Sequence, residues 1–191
     1  ADSIRDFSGV QGQTGWWNGY RNYTTDGGGV NYDPDLQFIA FPGGEGQGAW
    51  DGITQAWRGS SWDINSGGSG PWTRIAQVDS HPNGDNSFPN EEHWPIRRWV
   101  ADVTDPTNVG VTWNVQKGNP NNTGVTGSLY VNGNQIDTRT IPGNGTGVPA
   151  RTYYVALNPG DIVDLALTPE GLGGDRRDGS DSSLTWFLVD T

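Results

Sequence analysis

The chain has no cysteine and no methionine, and Lys117 is its single lysine among 191 residues. Without cysteine there is no disulfide and no thiolate metal site. Long apolar runs are also missing. No stretch approaches the ~20 apolar residues that a membrane-spanning helix needs, which excludes insertion by helices. Positive charge is scarce, with 11 basic residues against 22 acidic ones and a net charge of −11. A phosphate backbone is repelled by such a surface, so nucleic acid is not an expected partner. Helical periodicity is absent as well. Gly or Pro interrupts most windows longer than about ten residues, and no helix is expected.

What replaces these residues is turn chemistry. The chain holds 30 Gly and 12 Pro, and Asn, Asp, Ser and Thr are abundant. That mix suits many short strands joined by tight turns and long loops. An aromatic fraction of 11% argues against disorder. The second half, residues 108–191, alternates with period two. Val111, Trp113 and Val115 face one way, as do Leu129 and Val131, then Tyr153, Val155 and Leu157, then Val163, Leu165 and Leu167, and last Leu184, Trp186 and Leu188. Asn132-Gly133 between two such runs is a strong hairpin signal, and Asn158-Pro159-Gly160 marks another turn. The first half, residues 1–107, is richer in Trp and loops, with strands predicted over 16–23, 36–41, 72–78 and 94–103. Neither half has enough inward residues for a core of its own. The expected fold is therefore an all-β single-domain β-sandwich over 1–191, of jelly-roll type, with eight to ten antiparallel strands. Long loops are expected at 24–35, 58–71 and 168–183.

Ten tryptophans stand out in this setting. Trp99, Trp113 and Trp186 lie in apolar patterns and read as core. Trp50, Trp57, Trp62 and Trp72 lie in Gly- and Ser-rich stretches without such a pattern. A flat ring in a polar loop suits stacking on a sugar face. In a strand, adjacent Trp16 and Trp17 must face opposite sides, which sends one of them outward near Tyr20. The candidate sugar contacts are thus Trp17, Tyr20, Trp57, Trp62 and Trp72, with Arg58 and Asp63 as polar partners beside the rings. Three stacking platforms give roughly 2–4 kcal/mol, about millimolar affinity, so hydrogen bonds or several copies must add the rest.

Two other clusters invite chemistry. The first runs from His81-Pro82-Asn83-Gly84-Asp85-Asn86 to Glu91-Glu92-His93-Trp94 and holds both histidines. It offers an acid or base in Glu91 or Glu92 with His93 beside it, or a metal site from His81, Asp85 and His93. The plainer expectation is turns and caps, with Arg97 or Arg98 paired to Glu91 or Glu92. The second is Asp175 to Ser183, where Asp175, Asp178 and Asp181 are candidate calcium ligands. Asp33 and Asp35 form a lesser calcium candidate. The same aspartates balance Arg176 and Arg177 and serve turns. Three Asn-x-Thr sequons, at Asn22, Asn121 and Asn144, arise readily in so Asn-rich a chain.

The runs Asp6-Phe7-Ser8-Gly9-Val10-Gln11-Gly12-Gln13, Trp16-Trp17-Asn18-Gly19-Tyr20, Glu92-His93-Trp94-Pro95-Ile96-Arg97-Arg98-Trp99 and Gly124-Val125-Thr126-Gly127 resemble a secreted bacterial β-rich domain of the kind attached to larger extracellular proteins. The resemblance is to jelly-roll carbohydrate-binding modules in general. It implies a fold and a secreted, extracellular location, and assigns no residue a role. The opening Ala1-Asp2-Ser3 fits a mature end left by leader removal. Three functions follow: non-catalytic polysaccharide binding, which the exposed-ring argument favours; a self-associating subunit of an extracellular filament, sheath or surface layer, with Trp at subunit contacts; and a glycoside hydrolase or polysaccharide lyase.

Overall fold

Asn132 and Gly133 both take positive φ, 49° and 78°, and turn β8 (Gly124–Val131) into β9 (Asn134–Pro142). From this hairpin the fold can be read outward in both directions. β7 (Thr107–Lys117) pairs with β10 (Arg151–Leu157), β6 (His93–Val100) with β11 (Ile162–Thr168), and β5 (Asp79–His81) with β12 (Ser183–Asp190), all antiparallel. The eight strands form one long hairpin rolled on itself. Pairing of β8 with β11 and of β7 with β12 closes the roll into two sheets. That is the predicted jelly-roll β-sandwich.

The first half of the chain widens both sheets. β1 (Trp16–Asn22) pairs with β6, and β2 (Ile39–Ala40) pairs with β1. β3 (Ser61–Asp63) and β4 (Arg74–Ala76) extend the other sheet from β5. The strand orders are β2-β1-β6-β11-β8-β9 in the first sheet and β10-β7-β12-β5-β4-β3 in the second. This computed structural model describes residues 1–29, 31–42, 56–65, 70–118, 120, 122–177 and 183–190. Among the described residues the only helical turns are two of 3₁₀ type, Gln13–Gly15 and Leu172–Gly174. None of their helices is long and apolar enough to cross a membrane. The predicted strand at 36–41 shrinks to two residues, and the expected loop at 58–71 contains β3. Both strands are only two or three residues long, too short for local alternation to mark them.

The inward residues of both sheets meet in one cluster that includes Trp16, Trp99, Val111, Trp113, Leu165 and Phe187. The rings of Trp16 and Phe187 lie 4.7 Å apart at 58°. A satellite cluster lies under the N-terminal loops: Tyr20, Phe41, Ala56, Trp62, Ile64 and Ile75, with Phe7 and Trp57 packed against it. A third, Tyr32, Ile96, Tyr130 and Ala166, sits on the outer face of the first sheet.

A buried ion pair ties that third cluster down. Arg98 Nε and Nη2 donate to the two carboxylate oxygens of Asp164 at 2.9 and 2.8 Å, and Tyr32 Oη donates to Asp164 Oδ2 at 2.9 Å. Arg98 also donates to the Pro34 carbonyl at 3.0 Å and lies 3.7 Å from the centre of the Phe38 ring. The segment carrying Tyr32, Pro34 and Phe38 is thereby fastened over the sheet. The expected pairing of Arg97 or Arg98 with Glu91 or Glu92 does not form. Arg97 points between the sheets and donates to the Ala76 and Asp79 carbonyls and to Thr185 Oγ1, while Glu92 pairs with Arg176 at 2.7 Å.

Candidate functional site

Nine of the ten indoles lie in the described part of the chain. Trp16, Trp62, Trp94, Trp99 and Trp113 are buried, while Trp17, Trp57 and Trp186 are half-buried. Trp72, 38% exposed, is the one exposed indole among them. Trp50 lies outside the described residues.

Trp72 borders a cleft of about 270 Å³, lined also by Asp63, Asn65, Pro71, Arg74 and His81. Strand register explains the convergence. Asp63 on β3 stands opposite Arg74 on β4, and Arg74 stands opposite His81 on β5. The flanking Trp62, Ile75 and Ser80 point inward and are buried, so Asp63, Arg74 and His81 form one cross-strand row on the outer face. Trp72, two residues before Arg74, closes the row. Its backbone N–H donates to Asn83 Oδ1 at 2.9 Å, and its ring lies 6.2 Å from that of His81.

The polar groups of the row are held in place. Asp63 Oδ1 accepts the Asn65 N–H at 3.0 Å, Arg74 Nη2 donates to Asp79 at 2.9 Å, and His81 Nδ1 donates to the Pro82 carbonyl at 2.9 Å. Burial pushes the Asp63 carboxyl up, against the pull of the Asn65 N–H and the charges of Arg58, Arg74 and His81. The cleft thus combines an accessible indole with a carboxylate, an amide, an imidazole and a guanidinium fixed on strands.

The other sequence-predicted contacts go elsewhere. Trp62 is fully buried, stacked on Phe41 at 6.3 Å and 10°, with its Nε1–H donating to the Ser8 carbonyl at 3.0 Å. Tyr20 is 9% exposed and packs on Phe41 and His93. Neither presents a face to solvent, which corrects their reading as stacking surfaces. Their polar sequence neighbours concealed a satellite core assembled from β1, β3 and β4. Trp57 is half-buried against Phe7 and Trp62. It fits because residue 9 is glycine: a Cβ there would fall 2.5 Å from the indole. Trp17 is half-buried against Gly12, away from the cleft. Arg58 does not line the cleft, although its charge acts on Asp63. Sequence reading missed Asn65, Arg74 and His81 as members of one site, since only the register of three short strands joins them.

His81 and His93 do not converge on a metal. His81 faces outward and His93 is fully buried between the sheets. His93 Nδ1 shares a hydrogen bond of 2.7 Å with Thr73 Oγ1, and Nε2 lies 3.4 Å from Glu91 Oε2. No group of three or more metal-ligating side chains occurs among the described residues. Asp175 Oδ1 accepts the Arg177 N–H at 3.1 Å, while Asp178 and Asp181 lie outside the described residues, so the calcium expectation there falls largely on undescribed positions. Asp33 is used locally, its Oδ1 accepting the N–H groups of Asp35 and Leu36.

Burial holds His93 below its ordinary value of 6.5, although Glu91 favours the charged ring. The unfolded chain takes up a proton below pH 6.5 that the fold resists, so this residue's contribution to stability falls as pH drops below 6.5. Burial raises Asp63 and Glu92 instead. Their contributions run the other way, declining as pH rises from the ordinary carboxylate range through the raised values. His93→Gln should therefore lose less stability than the native chain between about pH 7 and pH 5. Urea midpoints at the two pH values check this, and equal losses would contradict it.

No protein-family model and no curated protein matches the sequence. Solved structures do share similarity. A β-glucosidase from Kluyveromyces marxianus in complex with glucose is 12% identical over 66% of this chain, at a TM-score of 0.34, and the chain spans 14% of that enzyme's length. The C-terminal family 6 carbohydrate-binding module of LamC, a marine laminarinase from Zobellia galactanivorans, is 9% identical, covering 69% of this chain and 90% of the module at a TM-score of 0.35. A PA14 sugar-binding domain from an RTX adhesin is 13% identical, covering 94% of this chain and 89% of that domain at 0.38. With TM-scores this low, what the chain binds has to be read from its own residues.

Proposed function

We propose that the chain is a non-catalytic polysaccharide-binding β-sandwich whose sugar contact is the Trp72 cleft. The observation that carries this reading is the cross-strand row Asp63–Arg74–His81 ending at the exposed indole. A pyranose needs an apolar face to lie on and directed partners for its hydroxyls. Trp72 supplies the first, and Asp63, Asn65, Arg74 and His81 supply the second. The cleft's 270 Å³ is small beside the ~300–1,000 Å³ of drug-sized sites, which suits a single sugar residue of a longer polymer. One ring contact contributes about 0.5–1.5 kcal/mol, and each hydrogen bond to a charged group about 1.5–3 kcal/mol. After the entropy cost of binding, affinity falls between roughly millimolar and micromolar. Hydrolysis has less support, because Asp79, the second carboxylate on the face that carries Asp63, is tied to Arg74. An extracellular location follows from the proposed polymer ligand.

The test is retardation in gels holding plant, algal or microbial polysaccharides. The native chain should be retarded by at least one, and Trp72→Ala should bind it about tenfold more weakly or worse, with unchanged circular dichroism. Retardation by none, or equal retardation of Trp72→Ala, overturns the reading.

A further inference from the structure

The outer face of the first sheet carries a second concavity, on the opposite side of the sandwich from Trp72. Period two places Thr126, Ser128 and Tyr130 of β8 on that face, and register sets Thr140, Thr138 and Gln135 of β9 beside them. The hydroxyls interlock, with Thr126 to Thr140 at 2.8 Å and Ser128 to Thr138 at 3.0 Å. The opposing wall is in one part the segment pinned by Arg98, Asp164 and Tyr32, and in the other Tyr23, Trp94, Glu170 and Arg176. Two hollows lie between, of about 280 and 930 Å³, and both are bordered by Tyr130 and Gln135. They form one trough. From Thr126 to Asn132 its floor runs roughly 20 Å, at about 3.3 Å per residue.

We propose that this trough holds an extended, uncharged glycan chain several sugar residues long, independently of the Trp72 cleft. Three observations select that occupant. β8 is hydrogen-bonded to β9 on one side and β11 on the other, so the trough floor along β8 offers a peptide strand no open backbone edge to pair with. Asp33, Asp35 and Glu170 border the trough, and Arg176 is already engaged by Glu92 and Glu170 at 2.7 Å each. A carboxylated or sulfated polymer is repelled there. The remaining surface is mostly hydroxyl and amide, which exchanges hydrogen bonds with sugar hydroxyls and offers few apolar anchors for a lipid or a hydrophobic peptide. Sites on opposite outer faces allow one molecule to bridge two polymer chains.

The experiment uses immobilised soluble polysaccharides, each in neutral and carboxymethylated form, against the full chain. The variants are Gln135→Ala/Thr138→Val, changed at exposed positions, and Trp72→Ala, all checked for native melting temperature. The proposal expects binding to a neutral polymer, little or none to its carboxymethylated form, and about a tenfold loss in the double variant. Equal binding by the double variant and the native chain, or stronger binding to the carboxymethylated form, overturns the trough. Loss in Trp72→Ala alone supports the cleft and overturns the trough, and loss in the double variant alone does the reverse. No binding by the native chain overturns both.

Discussion

Asp164→Ala should lower the unfolding free energy by about 3–5 kcal/mol, because removing one partner of a buried ion pair strands the other charge. Asp164 is fully buried and accepts two hydrogen bonds from Arg98 and one from Tyr32. Burial raises its carboxyl, and the Arg98 and Tyr32 contacts pull the other way. The carboxylate is therefore costly on its own and tolerated through those partners. Alanine leaves the Arg98 guanidinium with the Tyr32 hydroxyl and the Pro34 carbonyl but no counter-charge. A typical domain has about 5–15 kcal/mol to lose, and at this chain length each kcal/mol shifts the melting temperature by roughly 2–4 °C. Tyr32→Phe removes a single hydroxyl and should cost about 1–3 kcal/mol. Urea unfolding followed by tryptophan fluorescence measures both. A loss under about 1 kcal/mol for Asp164→Ala would mean that this network does not hold the segment over the sheet.

The second large effect separates a core tryptophan from an exposed one. Trp113→Ala should cost about 3–5 kcal/mol. Trp113 is 1% exposed in the main core, facing β8 at Gly127. The glycine makes that approach feasible: a Cβ at residue 127 would fall 2.4 Å from Val115 and 3.0 Å from the Trp113 ring. Alanine at position 113 opens a void that the two sheets cannot close without moving together. Trp72→Ala removes a partly exposed ring at the sandwich edge and should cost about 1 kcal/mol or less, while weakening glycan binding. Equilibrium unfolding of the two variants side by side reads the contrast. Similar losses would show that Trp72 is a structural residue.

The strands of the second half were legible because burial writes period two into runs such as Val111 to Val115. In the last strand, however, the buried face is Thr185, Phe187 and Val189 rather than the expected Leu184, Trp186 and Leu188, which leaves Trp186 half-buried and out of the core. The Asn132-Gly133 turn was legible because both positions require positive φ. The satellite core was not. Trp62 sits among Arg, Gly and Ser in the chain and meets Phe41 and Ile75 only through long-range packing. The candidate site was half-legible. Trp72 was selected as a ring and Asp63 as the polar neighbour of Trp62, but their union with each other and with Arg74 and His81 depends on β3, which lies within an expected loop. The trough left a trace in the alternating Thr126, Ser128 and Tyr130, and in Thr138 and Thr140. The depth of its larger part comes from the Tyr32 segment folded over the sheet, held by Arg98 and Asp164, whose pairing spans 66 residues of sequence.

The central claim is that a sugar lies on Trp72 above the Asp63–Arg74–His81 row. Its most direct test follows the indole N–H signals of the ¹⁵N-labelled chain during titration with oligosaccharides from the best-retained polysaccharide. Saturable movement of the Trp72 signal, abolished by Asp63→Ala with the fold intact, is the predicted result. A Trp72 signal that stays fixed while the sugar binds would contradict it.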